Sequence, residues 1–253
     1  MFKQILNQRW LLMSLLLAMQ MALMSTPLIA DVYYRLDFDS AKITSKGVSE
    51  KGREYRFRKE GGGMPGRIIK DQRNGSAVLE LRSKPTPSGH SKDRAELQIY
   101  SGITFNRDWF YGFEVFLPTG VKMDETWQLL LQCHQNGTQK SPPISLNLDA
   151  GGNLVLISRR DADTYNPLWT GPMPKGRWVP VVLGFRMGEQ GRARLWVDAK
   201  SVYDRRVPLG WSQGDRKCNL KTGIYRGESD QAFQVRLDKL ALGDTYREVA
   251  PKK

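Results

Sequence analysis

From residue 31 onward the sequence alternates apolar and polar residues over short runs, and Gly, Pro, Asn or Asp interrupts nearly every run. A period of two puts successive side chains on opposite faces of a strand, so each run can cover a core with one face only. Twelve runs carry the pattern: 33–38, 54–58, 77–82, 95–100, 109–117, 126–134, 144–148, 154–158, 178–186, 193–197, 222–225 and 234–242. Helical periodicity is scarce. Asn74-Gly75, Asn136-Gly137 and Gly151-Gly152-Asn153 supply the positive φ angles that tight connections need. The expected fold is therefore all-β, a sandwich of two antiparallel sheets.

Residues 1–30 read differently. Lys3 and Arg9 precede an apolar run shorter than the roughly 20 residues of a membrane span, and Leu28-Ile29-Ala30 gives a small-residue end. This is the pattern of a secretory signal peptide, expected to be cut after Ala30, with no stable membrane insertion afterwards and a periplasmic or secreted product. Residues 31–253 are then one domain, expected to work as a monomer; roughly 220 residues can enclose one sizeable core.

The formal charge of the chain is +13, and residues 1–30 hold two of the cations and no acid, which leaves +11. For an exported protein this excess points to an acidic polysaccharide or a membrane surface rather than nucleic acid, with simple solubility as the plain alternative. Cys133 and Cys218 are the only cysteines, so one disulfide is conceivable and a disulfide scaffold is excluded. Asn136-Gly137-Thr138 has the form of a glycosylation acceptor, but turn formation explains it more simply.

Several short motifs fail on context. Gly61-Gly62-Gly63-Met64-Pro65-Gly66 has the letters of a dinucleotide fingerprint but no room for the helix that would hold phosphate, and reads as a mobile loop. Gly171 to Gly176 lacks the Lys and Ser or Thr of a phosphate loop, and no G-x-S-x-G elbow is present. No metal site is expected among so few His and Cys. Asp161 and Asp163 could hold a hard cation such as a structural calcium, with a solvated turn the preferred reading.

Three segments stand apart because each sets polar groups on one strand face and apolar groups on the other. In DRAELQIY, Arg94, Glu96 and Gln98 oppose Ala95, Leu97 and Ile99; in WQLLLQCH, Gln128, Gln132 and His134 oppose Trp127, Leu129, Leu131 and Cys133. In LKTGIY, Lys221, Gly223 and Tyr225 oppose Leu220, Thr222 and Ile224. Any one of these could be an ordinary solvated face. Together they offer carboxylate binders beside two groups able to move protons.

In order, R-A-E-L, Q-x-H and K-x-G-x-Y resemble the three signatures of the alginate lyases with a β-jelly-roll fold, and heparin lyase I and glucuronan lyases are similar. The likeness runs from about Asp31 to Asp244 and includes WFYGFEVFLP and LDKLALGD. It implies a concanavalin-like jelly roll, β-elimination on an acidic polymer such as glucuronan, alginate or a heparin-like chain, and no required cofactor. Arg94, Gln132, His134 and Tyr225 take the catalytic positions, with Lys221 supporting the phenol. His134 or Tyr225 would be the base. Glu96, Gln98, Gln128 and Asn147 complete the expected substrate contacts, together with His90, which sits just before Arg94 in a Pro-, Ser- and Gly-rich loop that reads as exposed. The first motif ends in Gln98 where alginate lyases carry a second arginine, and the third lacks their aromatic start; Q-C-H-Q-N-G is closer to the heparin and glucuronan lyases. A non-catalytic sugar-binding jelly roll is the alternative, with Trp109, Trp127 or Trp169 as stacking rings. A glycoside hydrolase is a weaker one, because no closely spaced pair of catalytic acids is evident.

Overall fold

The computed structural model describes residues 32–160 and 162–252, and the backbone alone for residues 162–164. The expected signal peptide, Asp161 and the side chain of Asp163 lie outside the described residues. The strands in chain order are β1 (Val32–Leu36), β2 (Lys42–Ile43), β3 (Gly47–Glu50), β4 (Arg53–Glu60), β5 (Arg67–Lys70) and β6 (Ala77–Ser83). Next come β7 (Lys92–Thr104), β8 (Asp108–Phe116), β9 (Gln128–Gln135), β10 (Ile144–Leu148), β11 (Asn153–Arg160) and β12 (Ala162–Pro172). The last are β13 (Trp178–Arg186), β14 (Arg192–Val197), β15 (Lys200–Arg206), β16 (Lys217–Gly227) and β17 (Phe233–Gly243), followed by one helical turn, α1 (Tyr246–Val249).

They form two antiparallel sheets, as the alternation requires. One has the order β15-β14-β13-β8-β17-β6-β5, with β1 beside the C-terminal half of β17; the other runs β12-β11-β10-β9-β16-β7-β4-β3-β2. Inward residues of both meet in a single core, where Leu81, Trp109, Phe113, Leu183 and Phe185 face Leu97, Leu131, Leu146, Leu220 and Ile224. Each fully buried side chain of this kind contributes about 1.5–3 kcal/mol of transfer free energy, so the interface between the sheets dominates the stability.

All twelve expected strands are present. Five others were not legible as alternation, and four of them, β2, β5, β12 and β15, are the outer edges of the two sheets. Edge strands are kept polar, charged or proline-containing to discourage pairing with other chains. KSVYDRR in β15 and Pro167 in β12 follow that rule. The glycine run at residues 61–63, expected to be mobile, is tied down: Gly62 N–H donates to the buried Asp93 Oδ1 at 2.7 Å, and Gly63 N–H to Glu60 O at 3.0 Å. On the outer face of the first sheet, α1 packs Val249 against Phe110, Val182 and Ala241. Gly112 permits this approach, since a Cβ there would lie 1.9 Å from Val249 O.

Candidate active site

The three motif strands are neighbours in the middle of the nine-stranded sheet, in the order β9-β16-β7. Residues directly opposite in a ladder point to the same side, so register alone places their side chains. Gln132 lies opposite Lys221, and Lys221 opposite Gln98 and then Arg56 of β4. One row on, Gly223 faces Glu96 and Arg58; the next holds Tyr225, Arg94 and Glu60. His134 is paired with Asn219 on the same face. Arg94, Gln132, His134, Lys221 and Tyr225 thus share one surface, although 131 positions separate the first from the last.

Simple alternation fails at one place in β9. The register against β10 slips between Leu131 and Leu129, and against β16 between Thr222 and Tyr225, so β9 bulges at Leu130. Leu130 joins Leu131 in the core, Leu129 turns out to the site, and Gln128 turns away. Gln128 was expected among the substrate contacts; instead it lies opposite the buried Arg226, and its Nε2 donates to Asp124 O at 3.3 Å. A bulge inserts one residue and reverses the parity beyond it. Gly223 is the matching feature on β16, with φ of +138° and Ala95 O only 2.5 Å from where a Cβ would stand.

The floor of the site is ionic and buried. Gln132 Nε2 donates to Glu96 Oε1 at 2.6 Å, and Arg94 Nε faces Glu96 Oε2 at 3.5 Å. Arg94 also reaches Glu60 at 3.8 Å, and its guanidinium lies 4.0 Å over the Tyr225 ring. Burial pushes the Glu96 carboxyl above its usual range, opposed by the Gln132 hydrogen bond and then by Lys221, Arg94 and Arg58. Burial also lowers Lys221 from its ordinary value; Glu96 opposes this, while Arg94 and Arg58 add to it. His134 is lowered chiefly by burial and next by the Lys221 charge, so its ring is neutral at pH 7. Behind the sheet, Arg226 and Asp93 form a fully buried ion pair at 3.0 Å that fixes the chain next to Tyr225.

Above the floor opens a cleft of about 310 Å³ whose lining includes His134, Tyr225, Asn147, Trp127, Lys140 and Arg159. Ser145 Oγ donates to Asn147 Oδ1 at 2.8 Å, which leaves the amide nitrogen as the Asn147 donor for the cleft. Trp127 is 45% exposed and meets Tyr225 edge-on at 4.8 Å, whereas Trp109 is core and Trp169 packs against it. Gln98 shares the face but opens onto a neighbouring hollow with Glu54 and Arg56. His90 is exposed in a turn closed by its N–H to Pro87 O and does not line the cleft. Sequence reasoning did not single out Arg58, Lys140 or Arg159. Arg58 was legible as a cation on an alternating strand, but nothing local tied that strand to the site.

Cys133 and Cys218 are joined in a disulfide with Cα atoms 5.6 Å apart, on the core side of β9 and β16. Among the described residues, no three His, Cys, Asp or Glu side chains gather as a metal site.

Many solved structures share this architecture, three of which follow. Endo-β-1,4-glucuronan lyase from the fungus Trichoderma reesei is 18% identical, with 88% of this chain and all of that one covered at a TM-score of 0.70. Alginate lyase vAL-1 from a Chlorella virus is 10% identical, with 85% and 100% covered and a TM-score of 0.57. The catalytic domain of a glycoside hydrolase family 131 protein from Coprinopsis cinerea gives 13%, 79%, 86% and 0.55. At these identities the likeness is one of fold, and the fold hosts hydrolysis as well as elimination. No curated protein matches the chain. The profile of the polysaccharide lyase family, by contrast, matches residues 49–241, from β3 into β17 and across all three motif strands, so the chain belongs to the polysaccharide lyase family, on a β-jelly-roll fold.

Proposed function

We propose that this polysaccharide lyase is a periplasmic or secreted enzyme that cleaves a uronate polymer, with glucuronan the first candidate, by β-elimination. The observation that carries the reading is the shared cleft of His134 and Tyr225 above a floor of buried and half-buried cations. Elimination removes the C5 proton beside a carboxylate, forms the C4=C5 double bond and expels the C4 oxygen, which takes up a proton. Charge moves onto the carboxylate as the C5–H bond breaks, so cations fixed in advance stabilise the transition state more than the ground state.

Arg94 is held by Glu96 and Glu60 and supplies that charge together with Lys221 and Arg58. Gln132 is engaged with Glu96 and acts by fixing the carboxylate between the cations. Asn147 and Arg159 face the cleft from β10 and β11 and suit contacts with the sugar carboxylate. A neutral His134 can accept the C5 proton, and the Tyr225 phenol can protonate the leaving oxygen; with both hydrogen and leaving group on one side of the ring, Tyr225 would perform both steps. Trp127 offers an exposed ring for sugar stacking. Each step is assigned to a side chain of this protein, with no cofactor invoked.

The test is to incubate the mature protein with glucuronan, alginate, heparin, heparan sulfate and pectate, in calcium and in chelator, while following ultraviolet absorbance of the new double bond. Absorbance growth on one or more polymers is expected. Saturated reducing ends would identify a hydrolase, polymer depletion without cleavage a binding protein, and either overturns the proposal.

A further inference from the structure

The outer face of the eight-stranded sheet carries a second concentration of cations, on the sheet that does not bear the cleft. Arg186 of β13 lies directly opposite Arg192 of β14, and Arg192 directly opposite Arg206 of β15. Like charges placed opposite one another across strands are destabilising, so three arginines in one row cost stability rather than contribute it. Neighbouring acids hold the row in place without neutralising it. Asp108 binds Arg194 and, at 2.5 Å, Arg186. Asp204 takes two bonds from Arg192, at 2.6 and 2.7 Å. Arg206 is exposed and has no acidic partner among the described residues. Between Asp108, Arg186, Gln190, Arg192 and Arg206 lies a hollow of about 220 Å³.

We propose that the row Arg186, Arg192 and Arg206 is a second binding site for an anionic polysaccharide, separate from the cleft. Adjacent strands are about 4.8 Å apart, so the row repeats a cation at nearly constant steps along a line crossing the strands. A polymer with an acid group on each sugar presents the complementary series: Arg206 has its guanidinium fork free for a carboxylate or sulfate in two-bond geometry, while Arg192 and Arg186, each bound to an Asp, offer their remaining N–H groups and charge. The row anchors a long chain to the enzyme while the cleft works on another stretch of it, so long polymers gain affinity that short oligomers do not. The polymer class rests on the function proposed above; the binding itself does not.

The experiment compares Tyr225→Phe protein, expected to cleave too slowly to consume the polymer during a run, with the same protein carrying Arg192→Gln and Arg206→Gln, by migration through native gels containing glucuronan, alginate, heparin or uncharged dextran at low salt. Loss of two exposed charge contacts predicts roughly tenfold weaker binding to the acidic polymers, no effect with dextran, and a difference that shrinks as salt rises. With Tyr225 present, the double variant should keep its rate on a tetrasaccharide, and its melting temperature should not fall. Equal retardation with and without the two arginines overturns the proposal. So does loss of binding to vesicles containing anionic lipid while polymer binding is unchanged, which would make the row a membrane contact. Absence of double-bond formation bears on the function of the cleft and leaves the gel result to be read independently.

Discussion

Replacing both cysteines gives the sharpest quantitative check on the structure. The Cys133–Cys218 bond closes a loop with a sequence separation of 85 residues. In the loop-closure treatment, a cross-link of that span removes about 4.5 kcal/mol of conformational entropy from the unfolded chain. Cys133→Ala with Cys218→Ala also empties two core positions exposed by 1% and 0%, so the loss grows rather than shrinks. Domains hold only about 5–15 kcal/mol in total, and at roughly 2–4 °C per kcal/mol the melting temperature should fall by about 10–20 °C. Tryptophan fluorescence through a urea series and a thermal ramp would read this for the oxidised protein, the fully reduced protein and the double variant, with thiols counted by alkylation and mass. Activity at low temperature should persist, because the β9–β16 ladder that aligns Gln132 with Lys221 does not depend on the bond. Melting of oxidised and verified reduced protein within about 2 °C of one another, or two alkylatable thiols in protein from an oxidising compartment, would rule out a stabilising bond between these cysteines.

Other changes address the site directly. Tyr225→Phe should bind polymer with little change and lose roughly 10²- to 10⁴-fold in kcat; near-normal release of unsaturated product would remove the phenol from the mechanism. His134 has a folded-state pKa below its usual 6.5, so the unfolded chain binds the proton more readily and stability falls as pH drops through 6.5 towards the folded value. The same shift sets the acid limb of kcat/KM below pH 6.5. A limb at pH 7 or above, or one unchanged in His134→Gln, would contradict this assignment. Glu96→Gln keeps the shape that meets Gln132 but strips the counter-charge from Arg94 and Lys221. It should cost about 3 kcal/mol in urea unfolding and lower the Lys221 pKa further; wild-type stability would show that the floor carries no such coupling.

The interior of the fold was legible because a central strand must show its burial in its own sequence. Trp109, Tyr111, Phe113 and Val115 of β8 are apolar at every second position because each packs against the opposite sheet. Edge strands obey another demand, solubility, and so β2, β5, β12 and β15 left no such trace. Arg94, His134, Lys221 and Tyr225 were legible through the same alternation and the order of their motifs, since polar groups that share a strand face are fixed by a period of two. That argument holds only while the period is unbroken: the bulge at Leu130 moves Leu129 into the cleft and Gln128 out of it. The exposure of His90 was legible from its Pro-, Ser- and Gly-rich loop and holds in the structure; nearness in sequence to Arg94 does not carry it into the cleft.

An antiparallel sandwich, its central strands and the polar face of each can be read from local sequence, because burial and strand parity are written within a few neighbouring residues. The folded chain alone reveals that β9, β16 and β7 lie side by side, that Arg58 and Arg159 stand near the cleft, that the Arg94 guanidinium rests on Tyr225, and that Cys133 meets Cys218. These contacts join residues dozens of positions apart, and which strands become neighbours is settled by the packing of the whole core rather than by any local pattern.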